Sequence, residues 1–246
     1  MSLPGYVLGL ADDALVLAQR TSEWTARAPT LEEDVALANI ALDLLGQARY
    51  LLTYAGAEEG AGRDEDALAY RRPSSEFRNV HLVELPNGDF GRTIARLLVF
   101  SAYRYELLTR LADSADPTLA AVAAKGVKEV AYHRDHAAQW TVRLGAGTTE
   151  SRRRMGAGLA DVWPYTPELF TEESAALVAA GVAVDPVSLS EPWLAFVSGV
   201  LTSAGLVVPD VAAAPGGGRR GVHTDAMGPL LDELQSLHRA HPGAVW

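Results

Sequence analysis

The sequence predicts an all-α chain organised around a four-helix bundle. Three observations carry that prediction. Apolar residues recur at three- and four-residue spacing over long stretches, capping signals stand where those stretches begin, and no stretch alternates with period two between hairpin turns.

The first helix begins near Pro4 and runs to about Arg27, with Val7, Leu8, Leu10, Leu15, Val16 and Leu17 along it, until Ala28-Pro29 breaks it. Thr30-Leu31-Glu32-Glu33 is a capping box, and the helix it opens carries Val35, Leu37, Ile40, Leu44, Leu45, Leu51 and Leu52 before fading near Gly56. So short a connection makes the two helices antiparallel neighbours. Glu58 to Asp66 reads as an exposed loop, followed by a short helix or irregular arm through Glu84. Pro86-Asn87-Gly88-Asp89 is a turn whose aspartate caps a third helix, Phe90 to about Asp113. Asp116-Pro117 opens a fourth, which runs to Leu144 and stops at Gly145-Ala146-Gly147.

Shorter helices follow at Thr149 to Val162, Glu172 to Ala180, the apolar segment from Trp193, and Thr224 to Ala240, with a Gly/Ala-rich linker over Ala212 to Gly221. The expected fold is therefore an up-down four-helix bundle with a long connection between its second and third helices, as in ferritin-like proteins, with additional C-terminal helices. One domain is expected over residues 1–246, its core bundle at about 4–145 and the additional helices at about 149–240.

Composition excludes several classes of function. At 246 residues and 48% apolar, the chain can bury a large core. It has no cysteine, which rules out disulfides, thiolate metal sites and a cysteine nucleophile and suits a reducing cytoplasm. Met1 to Asp13 has neither the basic region nor the cleavage site of a secretory signal. Trp193 to Val208 is uncharged but short for a bilayer and interrupted by Ser198, Gly199, Thr202, Ser203 and Gly205, so a buried helix is expected rather than a membrane span. A net charge of −10 argues against nucleic acid as a partner. The small basic clusters, Arg152 to Arg154 and Arg219 with Arg220, read as solvated surface.

Bundles of this kind hold two irons with a Glu on each of two helices and a Glu-x-x-His on each of the others, because residues i and i+3 share a helix face. Three residues before the six histidines stand Arg78, Val130, His133, Arg220, Gln235 and His238, none of them acidic. Hairpin geometry gives the same answer. With Pro29 as the turn, Asp43 lies level with Leu15 and Val16, and with Ala115 as the turn, Glu129 lies level with Ser101 and Ala102. Gly46 and Tyr132 occupy the positions three residues beyond the two acids, where histidines would be needed.

Asp43, Glu129 and His133 remain as a residual polar centre of the bundle, with Asp12, Gln19 and Asn39 near their level. They are expected to form an internal hydrogen-bond or ion-pair network, with Arg20, Arg49 or Arg104 as cationic partners. His133-x-x-His136 and His238-x-x-His241 lack the full ligand set of a dedicated metal site, and His238 and His241 suit a helix C-terminus. No Gly-x-Ser-x-Gly elbow is present, and Gly216-Gly217-Gly218 lacks the strand and Gly-Lys-Ser/Thr of a phosphate loop. Trp24, Trp140, Trp163, Tyr165, Phe170, Trp193 and Trp246 are either core residues or partner anchors.

Several segments carry a resemblance: Asn39 to Arg49, Leu82 to Phe90, Lys128 to His133, His223 with Gly228-Pro229-Leu230-Leu231, and Pro242-Gly243 to Trp246. From about Tyr6 to Trp246 the chain resembles the C-subunit family of the phenylacetyl-CoA ring epoxidase. Ala146, inside the Gly-x-Gly turn, is a small departure without functional weight. The resemblance implies a non-catalytic structural subunit with no catalytic residue and no metal ligand of its own. It implies a catalytic A subunit as partner, carrying the di-iron centre and binding the CoA thioester, and a reductase with flavin and iron-sulfur groups fed by NADPH. When isolated, the chain is open to forming a homodimer, and neither nucleic acid nor membrane is expected as a partner. Two rival readings stand beside it, an autonomous di-iron carboxylate oxygenase and a homo-oligomeric structural protein.

Overall fold

The computed structural model describes residues 1–172 and 174–244. Among them the fold is all-α, without a strand, and its two long helical hairpins are those expected of a ferritin-like chain. The chain divides into two compact units, Met1–Pro86 together with Gly217–Trp246, and Asn87–Gly216.

In the first unit, α1 (Leu3–Ser22) pairs with α2 (Leu31–Glu59). Ser2 caps α1, accepting from the Gly5 amide, and Pro4 sits in the first turn, where its missing N–H costs nothing. Every residue from Val7 to Ala18 is buried, so α1 is a helix without a solvent face over three turns. It ends at Ser22, short of the expected Arg27. Ala26 adopts a left-handed φ of 63° and its amide donates to the Asp34 carboxylate at 2.6 Å, which turns the chain toward α2.

Thr30 caps α2 as expected, its hydroxyl accepting from the Glu33 amide. The helix continues past Gly56 to Glu59 and stops at Gly60, whose φ is 66°. Gly56 is required by packing rather than as a terminator, since a Cβ there would lie 2.1 Å from the Arg63 carbonyl oxygen. By length and composition α2 could cross a membrane, though 50% of its most apolar stretch is buried within the protein.

The arm that follows holds α3 (Glu65–Tyr70), a 3₁₀ turn at Ser74–Glu76 and α4 (His81–Glu84). Residues 217–244 return to this unit, where Gln235 donates to the carbonyls of Ala69 and Arg72, each at 3.0 Å, and His238 stacks on Tyr70 with ring centroids 4.1 Å apart.

In the second unit, α5 (Phe90–Leu111) pairs with α6 (Pro117–Ala146), capped by Asp89 and Asp116 as predicted. Next comes α7 (Thr149–Val162), which approaches α5 closely through Gly91 and Gly158. A 3₁₀ segment, Trp163–Phe170, leads on to α8 (Ala175–Ala179), shorter than the expected Glu172 to Ala180 because the Glu172 carboxylate accepts from the Ser174 amide and delays the helix. The apolar segment forms α9 (Ser190–Ser203), ending before Gly205 at φ 66°. Trp193 is buried, donates its indole N–H to the Val99 carbonyl at 3.0 Å, and packs against Trp163 and Phe170. Trp140, half-buried, meets Phe90 edge to face; Trp163 and Phe170 are half-buried as well, so among these aromatics Trp193 is the core residue. Trp246 lies outside the described residues. The last helix of the chain, α10 (Met227–Ala240), belongs to the first unit.

Candidate functional site

Asp43 stands half-buried on α2 in the first unit, while Glu129 and His133 stand four residues apart on α6 in the second. Glu129 is half-buried, with Lys125 at 3.8 Å one turn away, and His133 is buried. Among the proposed cationic partners, Arg20 binds Glu23 at 2.8 Å and the Glu84 carbonyl, Arg49 reaches Glu65 at 3.5 Å on the surface, and Arg104 is buried on α5.

These residues do not fit a pair of irons. Leu15 lines an apolar recess with Ala41, Leu42 and Leu45, so α1 meets α2 near Asp43 with hydrocarbon. On α5, Ser101 is buried with its hydroxyl donated to the Leu97 carbonyl at 2.5 Å. Gly46 and Tyr132 supply no nitrogen three residues beyond the acids. One or two carboxylates cannot hold a bridged metal pair that takes four, together with two imidazoles.

The main polar constellation of the first unit lies elsewhere. Asp12 and Asp13, adjacent on α1, are both fully buried and each holds an arginine. Arg72 pairs bidentately with Asp12, which also accepts the Arg78 amide at 2.8 Å, and the guanidinium stacks on Phe77 at 4.2 Å. Arg219 grips Asp13 with both terminal nitrogens, at 3.0 and 2.7 Å, and donates to the carbonyls of Gly9 and Arg78. Because i and i+1 point away from each other on a helix, the two acids take separate partners. One arginine comes from the arm and the other from the returning C-terminal segment.

Glu84 is the third fully buried acid. It accepts from Asn79 at 2.8 Å, from the Thr224 amide at 2.6 Å and from His223 at 2.7 Å. The other ring nitrogen of His223 faces the Phe77 carbonyl at 3.2 Å, so acceptors stand at both nitrogens and favour the imidazolium. Burial acts to raise the Glu84 pKa, but the bonds from His223 and Thr224 outweigh it and hold the carboxyl below its usual range. Burial acts to lower the His223 pKa, and is outweighed by the bond and charge of Glu84 and by the Phe77 carbonyl, so the pKa is raised.

Reading the basic clusters as solvated surface fits Arg152 to Arg154, which are exposed and bridged in part by Glu150, but it fails for Arg219. The available signal was the pair Asp12-Asp13 in the middle of an otherwise apolar run: two charges on a helix with no solvent face require partners from elsewhere in the chain.

Chemically, the three acids of this constellation are fully engaged. Its acids accept from arginines, amides and an imidazole within the same unit, which suits it to closing the fold. The sequence profile of the family described as phenylacetic acid catabolic protein matches residues 2–246. A curated relative, the C subunit of the 1,2-phenylacetyl-CoA epoxidase of Escherichia coli (strain K12), is 47% identical over 246 residues, which cover 99% of each chain. Coverage on that scale extends beyond the helices to the linkers and turns that carried the resemblance in the sequence, and the chain belongs to the phenylacetic acid catabolic protein family.

Proposed function

We propose that this chain is the non-catalytic, structural subunit of a phenylacetyl-CoA ring epoxidase, paired in the cytoplasm with a ferritin-like A subunit that carries the di-iron centre. A reductase with flavin and iron-sulfur groups would deliver electrons from NADPH to that partner. The observation that carries this reading is the ligand census: a member of this family, related to an epoxidase subunit, has no acid three residues before any of its six histidines. The saturated acids Asp12, Asp13 and Glu84 support it, because each is committed to holding the chain together.

Reconstitution tests the proposal. Oxygenation of phenylacetyl-CoA should require this chain, with iron found in the A subunit alone. Two irons per purified copy of this chain, or full turnover by the A subunit and reductase without it, would refute the proposal.

A further inference from the structure

The outer face of α2 carries Leu31, Val35, Ala38, Leu42 and Leu45, spaced four, three, four and three residues apart, as in the seam of a coiled coil. Leu31 is 76% exposed and Leu42 63%, and Val35 and Leu45 are exposed as well. Beside this stripe lies a recess of about 330 Å³ lined by Ala38, Leu42, Leu45, Tyr70 and Leu234. A second recess, of about 280 Å³, shares Leu45 and Tyr70 and continues it. Together with Tyr50, the exposed side chains leave on the order of 500 Å² of apolar surface bare, at the upper end for a monomer and a large part of the roughly 800 Å² that each partner of a stable complex buries.

Gly46 adds a second observation. It lies inside a 29-residue helix, next to Leu45, and a Cβ built on it meets nothing within 4 Å. Glycine weakens a helix interior, and nothing among the described residues approaches this position, as is also true of Gly156 and Gly199, so a crossing helix can come close here. Charge narrows the occupant. Arg49, Glu65 and Asp66 line the second recess, where Arg49 and Glu65 offset each other and Asp66 leaves an acidic excess, and Glu32 and Asp43 adjoin Leu31 and Leu42. A second copy docked about Leu42 would press Asp43 toward its equivalent.

We infer that this face of α2 seats a helix of a second, different subunit, one with its own three-four apolar spacing and with lysine or arginine along its flanks. The inference rests on the subunit reading above and names the surface through which that pairing occurs.

The test is titration of the purified full-length chain with the purified A subunit, alongside sedimentation of the chain alone. Wild type should bind. Leu42→Glu should weaken binding at least about 30-fold, whereas Leu194→Glu, at an exposed apolar position on α9, should stay within about threefold of wild type. Gly46→Ala should raise the Tm of the free chain by about 2 °C yet weaken the complex, a combination that a purely internal role would not produce. Wild-type affinity in Leu42→Glu, or an equal loss in Leu194→Glu, overturns the assigned surface and leaves the subunit reading standing. No binding by wild type overturns both. A self-dimer of this chain, or its adsorption to phosphatidylcholine vesicles, overturns the inference if Leu42→Glu abolishes it.

Discussion

His223 donates Nδ1–H to the Glu84 carboxylate at 2.7 Å across 139 positions of the chain, and its side chain is only 5% exposed. The contact fastens the returning C-terminal segment to the end of the arm that follows α2. Its stability contribution has two edges in pH. Glu84 is depressed below its ordinary value of 4.5, so its contribution is present above that pH and is lost as pH falls through the folded-state pKa. His223 is raised above 6.5, so its contribution is complete below that pH and is lost as pH rises through the folded-state pKa. The pair therefore stabilises most between pH 4.5 and 6.5. In urea melts, the stability difference between wild type and His223→Gln should shrink from pH 6 to pH 9. A difference that stays constant over that range would mean that folding does not raise the His223 pKa.

Asp13 and Arg219 make a similar connection between α1 and the returning segment. Arg219→Met would leave a fully buried carboxylate beside the Val80 amide with its cation gone, a loss of about 3 to 5 kcal/mol for breaking one side of a buried pair. Asp13→Leu combined with Arg219→Met should recover a large part of that loss, because no charge is then stranded. Denaturant midpoints of the two single variants and the double variant give the coupling directly. Strict additivity would show that the two residues stabilise independently.

The helical frame was readable because its signals are local. Thr30, Asp89 and Asp116 cap the helices they were expected to cap, and three-four periodicity marks the α2, α5 and α6 faces. Errors of boundary arose where a distant group intervened: Asp34 draws Ala26 out of α1, and the Arg63 carbonyl explains why Gly56 lies inside α2. That no acid stands three residues before a histidine is a matter of spacing and is read from the sequence directly. The ion network could not be read in that way, since Arg72, Glu84, Arg219 and His223 come from segments without periodicity, and only the burial of Asp12 and Asp13 demanded that partners exist.

Two glycines of α7 should respond oppositely to the same change. A Cβ on Gly158 would lie 2.6 Å from the Arg92 Cα, a backbone atom that cannot step aside, whereas a Cβ on Gly156 meets nothing within 4 Å. Gly158→Ala should therefore destabilise by about 1 to 3 kcal/mol through forced separation of α5 and α7. Gly156→Ala should stabilise by about 0.5 to 1 kcal/mol through a less flexible unfolded chain and better helix propensity. Calorimetry on the two variants checks the sign of each shift, and the same sign for both would show that α5 and α7 are not in such close contact.

Trp193 anchors α9 to α5 by one directed bond. Its indole N–H donates to the Val99 carbonyl at 3.0 Å, and its ring lies 5.1 Å from Phe170 and 5.5 Å from Trp163. Trp193→Phe keeps most of the apolar contact but removes the donor and leaves a small void, for a combined loss of about 1 to 3 kcal/mol. Because the Val99 carbonyl lies within α5, it can retain its helical partner, which places the result toward the lower end of that range. Trp193→Ala also removes the ring that Trp163 and Phe170 pack against, and should cost about 3 to 5 kcal/mol. Thermal unfolding of both variants separates the bond from the packing. Equal losses would show that the indole N–H, rather than the buried ring, accounts for the contribution of Trp193.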